Sequence, residues 1–295
     1  MRSFVMQPAL VASANLVATN ATELHAAYDP VTTYPAGAWV RADKRIYKSL
    51  QDANTGKQPA DEPLWWVDGG PSNAWAMFDN QISTATTAAA SLSVTLAVGY
   101  ANGLGLFGLV GDTLTVVVTD GLAGEEVYRY TQSLDGTLIT DGYQYFFEPF
   151  DQLDRVFLSD LPPYLNAHVT ITLTGSSGVA CGYCSLGTLY GIGDALFGMR
   201  SSMEDFSTVK TKNGVTTYEE GLSDGTRSVS LKVDAQQVPK VTRLLKKLRG
   251  IPCVWVPSLS PQYLHLITLA VYAGTDDVIE NAQTSLVSIT LKDLV

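Results

Sequence analysis

Cys181-Gly182-Tyr183-Cys184 has the spacing of a redox dithiol or of half a zinc site. A redox pair normally opens a helix after a strand, whereas this one follows the β-like run 170–174 and Gly178, where residues three apart point to opposite faces. No second C-x-x-C and no neighbouring His completes a metal set, and Cys253 stands in the apolar run 251–256. Three cysteines cannot all pair with one another, so they read as buried free thiols, with neither metal nor cofactor. The dense acidic set is Asp135, Asp141, Glu148, Asp151, Asp154 and Asp160. A glycosidase needs two carboxylates about 5–10 Å apart across a cleft, and Tyr143, Tyr145, Phe146 and Phe147 could line one. Asp135, Asp141 and Glu148 instead stand directly beside Gly or Pro, in turn-like positions where Asp is favoured because its side chain bonds the local backbone. His25, His168 and His265 are far apart, and no nucleophile elbow, phosphate loop or His-Glu-x-x-His occurs. The expectation is a protein without catalytic residues.

The remaining side chains with recognition chemistry are aromatic. Residues 24–70 hold three short β-like pieces: Thr33 to Val40, Ile46 to Leu50, and Pro63 to Val67. Adjacent Trp65 and Trp66 would face opposite sides of a strand, one toward a small core and one toward solvent. A sugar ring stacks its C–H face on such a platform, so Trp65 and Trp66, with Tyr47, Tyr34 and Trp39, are the candidate glycan-binding residues. The competing reading is a small domain that spends its few aromatics on its own core and docks onto a neighbouring chain. Tyr34, Gly37, Val40, Tyr47, Pro63 and Trp65 or Trp66 resemble, in order, the pattern of the chitin-binding carbohydrate module of chitinases, with Ala38 where that pattern has Asp.

These side chains need a scaffold, and composition points to strands. At 295 residues and 46% hydrophobic content the chain can form two or three domains with real cores, and its 16% charged content fits strands and turns better than helices. The net charge of −10 argues against nucleic acid, which demands a basic surface. The first eight residues begin like a signal peptide, but Pro8, Ser13 and Asn15 interrupt the apolar run. No window approaches the roughly 18 apolar residues of a membrane span, so the protein is expected to be soluble and not inserted in a membrane.

From Ser91 the apolar period is two: Leu92, Val94, Leu96 and Val98, then the runs 114–119, 127–130 and 169–173, punctuated by Asp-Gly and Gly-Asp turns. This spells an antiparallel β-sandwich, jelly-roll-like. Beyond a boundary placed near 190, Asn213-Gly214 turns a hairpin between 209–212 and 215–218, and 228–233 is a strand. One helix follows, from Ala235 or, given Pro239, from Val238, to Arg249, with Asp234 and Gln237 as a capping box. Strands 264–272 and 285–291 complete an α+β unit. Lys240, Arg243, Lys246, Lys247 and Arg249 crowd the helix's exposed side and are a candidate docking surface for an acidic partner. The expected domains are thus 1–70, 71–190 and 191–295. The class is mainly β: a three-stranded N-terminal module, a central sandwich, and a C-terminal sheet with one helix.

The seam between module and sandwich is Asn73-Ala74-Trp75-Ala76-Met77-Phe78-Asp79, with Trp75 and Phe78 expected inward. It resembles a segment of a family of tailed-bacteriophage virion proteins, where it likewise follows a chitin-binding-like module. Tyr143 to Phe150, Asp160 to Tyr164 and Thr170 to Gly175 are similar to segments of that family in the same order. The resemblance implies a non-enzymatic structural protein mounted on the tail, collar or baseplate of a virion and made in the host cytoplasm. Its implied partners are other virion proteins and further copies of itself, with host surface polysaccharide as a ligand of the module. Apolar stretches 104–110 and 114–118, read as sheet edges, also ask for cover by a partner chain. The alternatives are a secreted bacterial carbohydrate-binding protein and a glycosidase accessory domain.

Overall fold

The computed structural model describes residues 1–137, 139–147, 149–212, 214–219, 223–279 and 283–294, with backbone alone at 204, 212, 215, 223, 224 and 277. In chain order the strands begin with β1 (Arg2–Pro8), β2 (Leu16–Thr19), β3 (Trp39–Ala42), β4 (Arg45–Ser49), β5 (Trp66–Pro71) and β6 (Thr86–Ala88). Strands β7 (Ser91–Leu96), β8 (Gly103–Val110), β9 (Thr113–Asp120) and β10 (Glu126–Ser133) precede the short helix α1 (Gly142–Phe147). Then come β11 (Arg155–Leu158), β12 (Ala167–Thr174), β13 (Val179–Ala195), β14 (Arg200–Asp205), β15 (Thr208–Lys212), β16 (Val215–Glu219) and β17 (Ser223–Asp234). Helix α2 (Val238–Lys247), β18 (Cys253–Val256), β19 (Thr268–Ile279) and β20 (Thr284–Asp293) complete the chain. The fold is mainly β, as the alternating apolar pattern requires.

One large sheet runs β11-β8-β13-β1-β18-β19-β20-β17-β14, with β6 beside β13; a second runs β10-β9-β12-β7-β2. The second sheet packs on the β11, β8 and β13 end of the first. Leu92, Val94, Leu96, Leu114, Val116, Val118, Val169, Ile171 and Leu173 meet Leu104, Leu106, Leu109, Val156 and Leu186 in that core. The outward positions of the second sheet are hydroxylic: Thr95 meets Thr170 at 3.0 Å and Ser93 meets Thr172 at 3.3 Å. Alternation of this kind buries one face and hydrates the other. Strands β8 and β9, expected as edges, are interior: β8 lies between β11 and β13, and β9 between β10 and β12. Their apolar runs are long because each contributes its inward face to the sandwich core.

The boundary expected near 190 falls inside β13, and the chain does not divide into two sheets there. The first part of β13 pairs with β8 and its later part with β1, while Asp194 and Ala195 pair with Lys232 and Leu231 of β17. β1, the stretch that began like a signal peptide, is a central strand between β13 and β18 with Val5 and Met6 fully buried. Its Phe-Val-Met run is apolar on both faces because both faces are covered: Val5 joins the C-terminal core and Met6 a cluster with Phe107, Tyr183, Val254 and Leu269.

In the C-terminal part, α2 lays Val241, Leu245 and Leu248 on Val229, Leu231, Val233, Val287 and Ile289. The helix starts at Val238, and Asp234 gives only its backbone carbonyl to the Gln237 N–H, so the expected capping box is not formed. Pro239 in the first turn tolerates that start because its missing N–H would have no partner there. Residues 261–266 form a 3-10 turn rather than the start of a strand, leaving β19 to begin at Thr268. The hairpin β15–β16 has Lys212 opposite Val215, and Gly214 has φ +78°. Asn213 lies outside the described residues. Two arginines bind the halves of the large sheet together: Arg155 Nη1 donates to the carbonyls of Ile267 (3.0 Å) and His265 (3.4 Å), and Arg227 Nη1 to that of Leu266 (3.1 Å).

The seam is a 3-10 turn, Asn73–Phe78, in which Ala74, Ala76 and Met77 are buried. Trp75 and Phe78, expected inward, are both half-buried and meet edge to face at 5.8 Å; Phe78 packs against the sandwich core, while the fully buried positions of the turn go to the small residues and to Met77. Asn73 is pinned to the sandwich, its amide nitrogen donating to the Thr22 and Thr87 carbonyls and its oxygen accepting from the Thr87 N–H. The Glu23 carboxylate accepts from Ser72 Oγ at 2.9 Å and from the Asn73 N–H at 3.1 Å. Lys44 of the module sits 4.1 Å above the Trp75 ring.

Candidate functional site

The module's sheet, β3-β4-β5, places its aromatics by strand alternation. Val40, Tyr47 and Asp68 are cross-strand neighbours on one face, and Trp39, Lys48 and Val67 on the other. Trp66 opens β5 on the first face and is 2% exposed, its Nε1 donating to the Lys57 carbonyl at 2.8 Å. Tyr28 and Tyr34 stand edge-on to it at 5.9 and 5.4 Å. Trp66 and Tyr34 are therefore the module's core, with Tyr47 half-buried on the same face; burial and the Asp68 carboxylate push the Tyr47 phenol up from its ordinary value. Trp65 lies in the preceding turn, half-buried, with Lys57 Nζ 5.5 Å from its ring centre. Of the five candidate glycan residues Trp39 is the exposed one, at 39%. Its ring lies over Gly69, where a Cβ would come within 2.2 Å of Cζ3, and stacks on His25 at 5.6 Å and 16°, with Lys48 Nζ 5.7 Å away.

The acidic set is dispersed into turns and pairs. Asp135 Oδ1 accepts from the Thr137 N–H at 3.0 Å, and the Thr137 hydrogen bonds hold its carboxyl below the usual range. Asp141 Oδ1 accepts from the Gln144 N–H at 2.8 Å at the start of α1. Asp154 forms a two-pronged pair with Arg155, which likewise lowers its carboxyl, and Asp160 accepts from the Tyr128 hydroxyl at 3.0 Å. Asp151 is exposed at the foot of the same loop, and Glu148 lies outside the described residues. Among the described residues no group of three or more His, Cys, Asp or Glu is placed to hold a metal, and no helix is long and apolar enough to cross a membrane.

All three cysteines are free and buried. Burial pushes the Cys181 and Cys253 thiols up to about 12 and raises Cys184 well above its ordinary value. The rule that residues three apart face opposite sides does not hold here, since Cys181 and Cys184 both join the sandwich core. The reason is a paired kink. Gly108 has φ +61°, and a Cβ placed on it would come within 3.2 Å of Gly182 Cα, so the two glycines face each other across the strand pair and side-chain alternation resets on both strands at once. Phe107 and Tyr183 thereby turn to the opposite cluster, while Leu106, Leu109, Cys181 and Cys184 stay inward.

The feature that sequence reasoning undervalued is the loop 134–153 between β10 and β11. Its base is tied down: the Leu153 N–H donates to the Leu134 carbonyl, the Gly136 N–H to that of Asp151, and Leu134 itself is 1% exposed. Its tip carries Tyr143, Tyr145, Phe146, Phe147 and Phe150 at 66–89% exposure, and among the described residues the ring contacts there are Tyr143–Phe147 (4.9 Å), Tyr145–Phe146 (5.0 Å) and Phe146–Phe147 (6.4 Å). Where the loop leaves the sandwich there is a cavity of about 400 Å³ lined by Phe107, Tyr130, Leu153, Phe157, Leu264 and Ile267. The signal was available: crowded aromatics with neither a strand nor a helix period have no core face to occupy.

Lys240, Arg243, Lys246, Lys247 and Arg249 all lie on the solvent side of α2 and just beyond its end. Among the described residues none of them forms an ion pair, and Arg243 Nε donates to the Pro239 carbonyl at 3.1 Å. Comparison with protein-family models, with curated proteins and with solved structures finds no match to this chain.

Proposed function

We propose that this chain is a non-enzymatic structural protein of a tailed-bacteriophage virion, mounted on the tail, collar or baseplate, where it makes assembly contacts. The observation that carries the reading is the aromatic tip of loop 134–153, with five large rings displayed on a firmly anchored base. Contiguous exposed apolar surface of this kind marks a protein contact. The resemblance of residues 73–79, 143–150, 160–164 and 170–175 to tailed-phage virion proteins adds the setting. Mass spectrometry of purified virions should recover the chain in a fixed ratio to the other tail components. Its absence from intact particles defeats the reading.

A second role belongs to the module. Trp39, 39% exposed with His25, Lys48 and exposed Val67 around it, is the module's outward ring with polar neighbours, and host surface polysaccharide is the ligand class that fits it. Trp39→Ala should weaken binding of such a polysaccharide by about 1–3 kcal/mol, as for a central aromatic anchor. Flat calorimetry of the unaltered protein against the host polysaccharide leaves the module only a structural role.

A further inference from the structure

Resting on the assembly role just proposed, we infer that the partner of the α2 basic face is the aromatic loop of a second copy of this chain, in a head-to-tail contact. The two surfaces are complementary in charge. Between Ser133 and Asp154 the sequence holds Asp135, Asp141, Glu148, Asp151 and Asp154 and no Lys, Arg or His. Between Ala235 and Gly250 it holds Lys240, Arg243, Lys246, Lys247 and Arg249 and no acid. Asp154 is engaged by Arg155, whereas Asp141 and Asp151 are exposed beside the rings.

The chemistry of the rings points the same way. Guanidinium and ammonium groups lie favourably over Tyr and Phe faces, so a basic helix is a natural cover for an aromatic tip flanked by carboxylates. Among the described residues neither surface is used within the chain: the cation–ring contacts of this molecule are Lys44 on Trp75, Lys48 on Trp39 and Lys57 on Trp65. An anionic membrane suits neither face. The apolar side of α2 is already buried on the sheet, so the helix has nothing to insert, and a cation-free loop on a chain of charge −10 is repelled by anionic lipid. In the head-to-tail arrangement inferred here each copy gives its loop to one neighbour and its helix to another, so repetition builds a ring or a filament.

The test is sedimentation of the purified full-length protein over a range of concentrations at low and high ionic strength. The unaltered chain should associate at low salt and dissociate at high salt. A helix variant, Lys246→Glu with Lys247→Glu, and a loop variant, Phe146→Ser with Phe147→Ser, should each weaken association about tenfold or more, as for loss of a central anchor. Mixed together, the two variants should form one-to-one complexes that grow no further, since the helix variant keeps its loop and the loop variant its helix. Circular dichroism confirms that both remain folded, and Asp151→Lys provides a second loop variant that leaves the rings in place. A protein that stays monomeric at all concentrations, an association that either variant leaves intact, or a mixture that gives no complex overturns the inference. If the chain is nevertheless recovered from virions, the assembly role stands without this contact; self-association by a chain absent from virions defeats the assembly role alone.

Discussion

At the scale of single residues, the thiols were the most legible chemistry and the one that geometry qualifies most. Their apolar surroundings at 251–256 and 169–186 foretold burial, but the sequence pattern did not foretell that Cys181 and Cys184 would share one core, because the Gly108–Gly182 kink arises from tertiary packing. Ellman's reagent at pH 8 should modify none of the three thiols in the folded protein and all three in denaturant; rapid reaction of any one of them when folded contradicts the burial described here. A thiol whose folded value is raised is disfavoured as thiolate, so its contribution is intact below the ordinary value of 9.0 and is lost as pH rises toward about 12. The melting temperature should therefore fall through that alkaline window, and less steeply in Cys181→Ala. At the kink, Gly182→Ala would set a Cβ 2.4 Å from the Ile82 carbonyl oxygen, an overpacking that should cost about 2 kcal/mol. An unchanged urea midpoint counts against the kink's being tightly packed.

At the scale of elements, the strands of the sandwich were readable because one buried face enforces a period of two, and α2 because its buried stripe is short and regular. β1 was not readable. A strand covered on both faces loses its alternation, and an apolar run beginning with Met and Arg looks like a leader before it looks like a sheet centre. The module was legible in outline, but the roles of its two adjacent tryptophans depended on where β5 begins, and that register is set by Ser49 opposite Trp66. The resulting division of labour can be tested by paired substitutions. Trp66→Ala removes a buried ring and the hydrogen bond to Lys57, which should cost about 3–5 kcal/mol and melt the module while the body stays folded. Trp39→Ala should leave melting nearly unchanged. Nuclear magnetic resonance of the full-length variants distinguishes the two, and equal loss of module signals in both defeats the assignment of Trp39 to the outer face.

At the scale of the whole molecule, the module keeps a sheet of its own, whereas the sandwich and the C-terminal part each have a hydrophobic cluster but share one large sheet, and this consequence of topology could not be read locally. β13 is 17 residues long, and its two ends line different cores, while β1 and β18 fill the space between them. The guanidiniums of Arg155 and Arg227 take three consecutive carbonyls at 265–267, and Arg227 also pairs with Asp293 at 2.7 Å, both side chains being mostly buried. Removing one member of such a pair strands the other charge, so Arg227→Met should cost about 3 kcal/mol, more than an exposed pair could. The larger expectation is cooperativity. A fragment comprising residues 191–295 lacks β1 and most of β13, and with them Val5 and the hydrogen-bonding partners on one side of β18. An open apolar sheet edge of that kind is unstable in water and prone to pair with other chains. The fragment should therefore be unfolded or aggregated, and calorimetry of the full chain should show the sandwich and the C-terminal sheet melting in one transition, with the module separate. A fragment 191–295 that is monomeric, gives dispersed amide resonances and melts cooperatively would mean that the C-terminal sheet closes without β1, and the shared strands would then join two independent domains.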